Sequence, residues 1–75
     1  MQSTKRFTAI IEKENNGYIS LCPELDIASQ GLSIEEAQDN LLEAIELFLE
    51  VADPTEIASR LDKETFVTQL EVKVG

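Results

Sequence analysis

The sequence predicts an α+β fold in which an antiparallel sheet packs on one long helix. Three observations predict it: short segments in which apolar and polar residues alternate, a hairpin turn signal between the first two of them, and one long segment with apolar residues at helical spacing. The predicted element order is β-β-β-α-(α)-β, within a single domain that spans residues 1–75.

The first three strands are short. The segments "KRFTAIIEK" (5–13) and "YISLC" (18–22) alternate, and Asn16-Gly17 between them favours a type I′ turn, which needs positive φ at both central residues. A turn at "PELD" follows, because its proline removes a ladder donor and ends the second strand. The segment "IASQG" (27–31) then forms the third strand.

The long helix has the clearest signals. Ser33 and Glu36 form a capping box, which predicts a helix over 34–52. Pro54 ends it, because the residue before a proline avoids the α region, and a short second helix follows over 54–61. The apolar residues at helical spacing are Ile34, Ala37, Leu41, Ala44, Ile45, Phe48 and Ala52, and Leu42 and Leu49 widen the stripe.

The segment "ETFVTQLEVKV" (64–74) alternates and predicts a final strand. Its apolar face comprises Phe66, Thr68, Leu70, Val72 and Val74.

One face of the sheet must pack on the long helix. We expect Ile10, Tyr18 and Cys22 on the opposite face, where an antiparallel sheet can meet water. Apolar residues there would suit contact with another subunit or a partner, although single exposed apolar side chains are also ordinary.

The charge is strongly acidic and unevenly distributed. The chain has 15 acidic and 6 basic residues, a net charge of -9, and no Lys or Arg lies between residues 14 and 59. Five acids recur at helical spacing and form what we term the acidic stripe: Glu36, Asp39, Glu43, Glu46 and Glu50. This charge disfavours nucleic-acid binding and favours a basic protein partner, with an ordinary solvated face as the alternative interpretation.

Catalytic and metal-binding patterns are weak. The chain has no histidine, and the only cysteine, Cys22, has no basic neighbour that would lower its pKa, while nearby acids would raise it. Zinc would need more Cys or His ligands. Glu24 and Asp26 could hold a hard cation, but turn chemistry explains them more simply. We therefore expect no enzyme activity, cofactor or metal; a carboxylate-dependent nuclease that uses Asp26 is a minor alternative.

The length also bounds the biology. A domain of 75 residues buries only about 60% of the surface of its unfolded chain, and small domains without disulfides or metals often gain stability by association. We therefore expect a homo-oligomer, either a dimer or a tetramer. A lone cysteine, no secretion signal and no apolar run of ~20 residues predict a cytoplasmic protein with no membrane segment.

Residues 17–50, "GYISLCPELDIASQGLSIEEAQDNLLEAIELFLE", resemble the HicB antitoxin family. The similar motifs are the Gly-Tyr strand, "CPEL", "SQG", the Ser-x-x-Glu-Ala cap and "NLLEAIEL". The resemblance implies a reduced ribonuclease-H-like fold and a protein that binds and masks HicA, a small basic mRNA-cleaving toxin. Many members carry a C-terminal DNA-binding segment; none follows the last predicted strand here, so we expect no direct DNA binding.

These observations together predict an antitoxin-type, protein-binding module. The acidic stripe would face the basic surface of the toxin, with Tyr18 and Ile10 as apolar contacts. The alternative is a stand-alone oligomeric domain, structural or regulatory, that has no cognate toxin.

Overall fold

The computed structural model describes residues 4–75 and has an α+β architecture of three antiparallel strands followed by two helices. The strands are β1 (Ile10–Glu14), β2 (Gly17–Cys22) and β3 (Ile27–Gly31), and the sheet order is β1-β2-β3. The helices are α1 (Ile34–Val51) and α2 (Pro54–Leu61), so the helical region is two helices rather than one long one. Residues 1–3 of the predicted domain lie outside the described residues.

The β1–β2 hairpin differs from the prediction in its turn. Glu14 pairs with Gly17, so the two-residue loop is Asn15-Asn16, and Asn15 has φ 51°. Gly17 belongs to β2, where a Cβ would lie 2.9 Å from the carbonyl oxygen of Gly31. This glycine is therefore required for close packing against β3, not for a positive φ in the turn.

The face of the sheet that packs on α1 is the opposite of the one predicted for β2. Ser20 and Cys22 are buried, and the Ser20 hydroxyl donates to the backbone oxygen of Ala37 in α1 at 2.8 Å. Ile10 pairs with Leu21, and neighbouring residues of a strand point to opposite faces, so Ile10 lies on the outer face while Tyr18 and Cys22 lie on the helix side. A two-residue loop pairs even-numbered residues of β1 with odd-numbered residues of β2, and paired residues lie on the same face. Ile10 therefore cannot share a face with Tyr18 and Cys22, and the predicted grouping of these three residues was wrong.

The core is small and lies between the sheet and α1. It comprises the buried residues Cys22, Leu25, Leu41 and Ile45, with Phe7, Ile27, Phe48 and Leu61 packed around them. Leu42 and Leu49, which were predicted to widen the buried stripe, are 56% and 37% exposed. Helical spacing places both about 80–100° around α1 from the centre of the buried residues Ala37, Leu41 and Ile45, so α1 buries only the centre of its apolar face.

Both helices begin and end at the predicted signals. Ser33 caps α1 by accepting from the Glu36 N–H, and the Glu36 carboxylate accepts from the Leu32 N–H. The first helix ends at Val51, and its C-cap residue Ala52 has an extended ψ of 150°. Asp53 and the proline that begins α2 follow. The Asp53 carboxylate accepts hydrogen bonds from the N–H and the hydroxyl of Thr55. These bonds lower the pKa of Asp53.

The predicted fourth strand over 64–74 is not formed, and β1 begins at Ile10 rather than at residue 5. Every residue from 62 to 75 is exposed and non-helical. Alternation of apolar and polar residues favours a strand, but a strand forms only beside another strand edge. In the described chain this segment pairs with no such edge. Residues 64–74, which we term the C-terminal segment, therefore keep their apolar face in solvent.

Candidate partner-binding surface

The acidic stripe occupies the outer face of α1. A helix advances about 100° per residue, which places Glu36, Asp39, Glu43, Glu46 and Glu50 within one quarter of its circumference. The buried residues Ala37, Leu41 and Ile45 lie on the opposite side, against the sheet. All five acids are accordingly exposed. The structure thus brings the five predicted residues of the stripe together on one surface.

The stripe lacks compensating positive charge. Within residues 4–75 the structure has one ion pair, Glu56–Arg60 in α2, at 3.0 Å. The last turn of α1 contains no basic residue, although its C-terminal dipole favours one. Like charges at three- and four-residue spacing destabilise a helix by about 0.2–0.5 kcal/mol per pair. The surface is therefore strongly negative, and a cationic partner would reduce the repulsion between its carboxylates.

Tyr18 lies near the N-terminal end of the stripe. A groove of about 530 Å³ is lined there by two of the seven predicted partner-binding residues, Tyr18 and Glu36, together with Asn40 and the residues of the hairpin turn. The Asn40 amide donates to the backbone oxygen of Gln30 at 2.7 Å and fixes one wall. One aromatic ring and one carboxylate of the predicted set thus line the same groove.

Ile10 does not join this surface. It lies half-buried on the outer face of the sheet, beside its partner Leu21, whereas Tyr18 and the stripe lie on the helix side. The outer face also carries Ile19, which is 37% exposed, and Ala28. The predicted set of contact residues is therefore divided between two surfaces.

Cys22 has the surroundings of a structural thiol. Burial raises its pKa, and the neighbouring Glu24 carboxylate, 3.5 Å from the sulfur, raises it further. This is the direction that the sequence predicted from its acidic neighbours. Backbone hydrogen bonds from Leu25 and Glu24 act to lower the pKa of Cys22, but burial outweighs them. A thiol that ionises less readily is a weaker nucleophile.

Glu24 has a role that the sequence pattern did not indicate. Its carboxylate accepts from the Thr8 N–H at 3.0 and 3.1 Å and from the Thr8 hydroxyl at 2.7 Å. Partial burial acts to raise the pKa of Glu24, but these hydrogen bonds outweigh it and the pKa is lowered. The carboxylate fastens the β2–β3 turn to the segment before β1. Such a contact, 16 residues apart, carries no local signal.

Arg60 was also missed. Its guanidinium donates to the backbone oxygen of Leu25 and lies 4.6 Å from the centre of the Phe48 ring. The spacing of Glu56 and Arg60 was visible in the sequence, but their contacts with other elements were not. Arg60 thereby attaches α2 to the β2–β3 turn and fixes where the C-terminal segment departs.

Two general properties complete the description of the surface. No three Cys, Asp or Glu side chains of residues 4–75 come close enough together to hold a metal ion. Neither helix of the same residues is long and apolar enough to cross a membrane.

The fold and surface define a class: a small α+β chain whose sheet carries a strongly acidic helix. The chain is 42% identical over 65 residues to a UPF0150 protein of Helicobacter pylori (strain J99), covering 85% of this chain and 90% of that protein. It is 48% identical over 46 residues to a UPF0150 protein of Synechocystis sp. (strain PCC 6803), covering 59% and 58%. No family model and no solved structure matches the chain. The chain belongs to the UPF0150 family.

Proposed function

We propose that this chain is an antitoxin-type module of the HicB kind, which masks a small basic mRNA-cleaving toxin of the HicA kind. The observation that carries the proposal is the acidic stripe: five exposed carboxylates on one helix face, with no ion pair to any described residue. Masking would act by charge complementarity. The stripe steers the basic protein into contact and covers the surface that otherwise binds RNA.

The order of elements is consistent with this proposal. Three antiparallel strands followed by a helix are the first four elements of the reduced ribonuclease-H-like fold that the resemblance to HicB implies. The capping box and the "CPEL" turn, two of the motifs that carry the resemblance, have structural roles here. Glu36 accepts at the start of α1, and Glu24 fastens the turn to Thr8.

The proposal is tested with the purified chain and a small basic protein encoded beside its gene. Titration calorimetry would measure binding, and cleavage of an mRNA by the basic protein would measure masking. We expect a complex whose affinity falls as salt rises, and cleavage that stops at a stoichiometric amount of this chain. Two folded proteins that do not bind at low salt would refute masking.

Charge-matched variants assign the surface. The stripe variant replaces Asp39, Glu43, Glu46 and Glu50 by their amides and leaves Glu36, because its carboxylate caps the helix. The control variant removes the same number of charges at Glu12, Asp26, Asp62 and Glu71, which are all exposed and lie off α1 and away from the groove beside Tyr18. Neutralised stripe residues should weaken binding by about tenfold or more and reduce its salt dependence, and the control should do neither. Equal losses in both variants would show a net-charge effect only.

A second function is favoured by a different observation. The exposed apolar face of the C-terminal segment suits association, so a stand-alone oligomeric domain, structural or regulatory, is the alternative. It predicts a stable oligomer that neither binds the basic protein nor inhibits RNA cleavage.

A further inference from the structure

The C-terminal segment exposes an unusual amount of apolar surface. Phe66, Leu70 and Val74 are 82%, 84% and 92% exposed, and Val67 and Val72 are exposed as well. Scattered exposed apolar residues are ordinary, but here they recur along one alternating segment. Such a segment resembles a strand that lacks its neighbour.

The dimensions of the chain lead to the same conclusion. A compact protein of 8.4 kDa is expected to expose about 4,600 Å², whereas this chain exposes 6555 Å². Its radius of gyration is 14.6 Å, against about 11 Å for a compact domain of this length. The excess of exposed surface is about 1,900 Å² per chain. For two chains it is about 3,800 Å², which lies within the range of total area buried by obligate homodimer interfaces.

The strand edge that this segment would need is open on β1. The helix α1 packs mainly on β3 and β2 and touches β1 least, so the inner face beside β1 is uncovered. A groove of about 210 Å³ opens there between α1 and residues 5–9, and its apolar lining includes Phe7, Leu41, Leu42 and Ile45. The β3 edge is less available, because the backbone oxygen of Gln30 already accepts from the Asn40 amide.

Charge also favours the β1 edge. Residues 5–13 hold three basic side chains and one acid, in a protein whose net charge is -9. The C-terminal segment holds two acids and one base. Pairing these two segments brings opposite net charges together and keeps two copies from meeting through their acidic stripes.

We propose that residues 64–74 form a fourth strand on the β1 edge of a second copy of this chain, with the alternating face of Phe66 and Leu70 in the groove beside β1. Two copies exchange these strands about a two-fold axis, so each sheet gains the strand that its own chain does not supply. The second copy is the occupant because, within one chain, the segment extends from the end of α2 with every residue exposed. It pairs with neither edge of its own sheet. The inference does not depend on the proposed toxin binding.

The test compares the full chain with two single substitutions that add the same charge. Leu70→Asp changes the apolar face of the C-terminal segment, and Gln69→Asp changes its polar face. Both residues are exposed, so neither change removes a contact within one chain. Light scattering after size exclusion gives the mass, and amide hydrogen exchange gives the protection of residues 64–74.

We expect the unchanged chain to have twice the 8.4 kDa mass of one copy, with slow exchange in residues 64–74. Leu70→Asp should raise the dimer dissociation constant by about 100-fold or more, because two-fold symmetry places the change at both exchanged strands. It should also remove the protection while preserving the helical circular dichroism. Gln69→Asp should remain a dimer.

Three results would overturn the proposal. A monomer with a protected segment would mean that the strand closes on its own sheet. A monomer with an unprotected segment would mean that the segment needs a different partner. A dimer that Leu70→Asp leaves intact would place the interface elsewhere.

Discussion

Gly31 is the residue at which the sheet comes closest to the helix, and its replacement by alanine tests the packing directly. A Cβ at this position would clash with the backbone nitrogen of Ala37 and would lie 2.7 Å from the carbonyl carbon of Glu36. Both are backbone atoms, which cannot rotate aside. Ordinary contact begins at 3.4 Å, so α1 would have to move by about 1 Å.

The expected cost follows from that displacement. Forcing one carbon into a packed interface destabilises a protein by about 1–3 kcal/mol. The same movement would stretch the 2.8 Å hydrogen bond from the Ser20 hydroxyl to Ala37, and a buried hydroxyl without a partner costs about 1–3 kcal/mol. Gly31→Ala should therefore lower the free energy of unfolding by about 2–6 kcal/mol. The total for a domain of this length is about 4–11 kcal/mol.

The sign of the effect makes the assay decisive. Where space allows, Gly→Ala stabilises a protein by about 0.4–1 kcal/mol, because alanine restricts the unfolded chain. Urea unfolding, followed by the circular dichroism of the helices at two protein concentrations, measures the change and reveals any effect of association. Gln30→Ala, an exposed neighbour in β3, is the control and should stay within about 0.5 kcal/mol. A neutral or stabilising Gly31→Ala would refute the close approach of β3 to α1.

Three further predictions concern the side chains of Glu24, Cys22 and Arg60. The pKa of Glu24 is lowered in the folded state, so its contribution to stability is present above its unfolded pKa of about 4.3 and is lost as the pH falls through the folded pKa. In thermal unfolding across acidic pH, the stability of Glu24→Gln should therefore fall less steeply than that of the unchanged chain. Parallel curves of stability against pH for the two proteins would contradict the Thr8 contact. The buried Cys22 thiol should react with a disulfide reagent about 100-fold or more slowly in the native protein than in urea, and equal rates would show that it is accessible. Arg60→Met should destabilise the protein by about 1–2 kcal/mol through loss of its turn and ring contacts. Removal of its exposed partner in Glu56→Gln should cost less than about 0.5 kcal/mol, and equal losses in the two would assign the effect to the ion pair.

The sequence predicted the elements whose signals are local. The serine and glutamate of the capping box placed the start of α1, and Pro54 placed the break between the helices, because both act on backbone groups within one turn. The acidic stripe was equally predictable, since helical spacing alone puts its residues on one face. Strand existence was also correct for β1, β2 and β3, apart from the first residues of β1.

What the sequence missed depends on partners far along the chain. The role of Gly17 and the face occupied by Cys22 follow from the pairing of three strands, which no single strand specifies. The contacts of Glu24 with Thr8 and of Arg60 with the β2–β3 turn close loops of 16 and 35 residues. Neither pair has a spacing pattern that could reveal it.

The sequence by itself determined the class of fold, the limits of the two helices and the acidic face, because these depend on periodicity, capping and charge. Only the tertiary structure decided which side of the sheet is buried, how closely Gly31 approaches α1, and that the strand-like residues 64–74 find no strand to pair with in their own chain. A helix satisfies its hydrogen bonds internally, whereas a strand needs a neighbouring edge. Strand propensity is therefore a local property of the sequence, but strand formation depends on the assembled sheet.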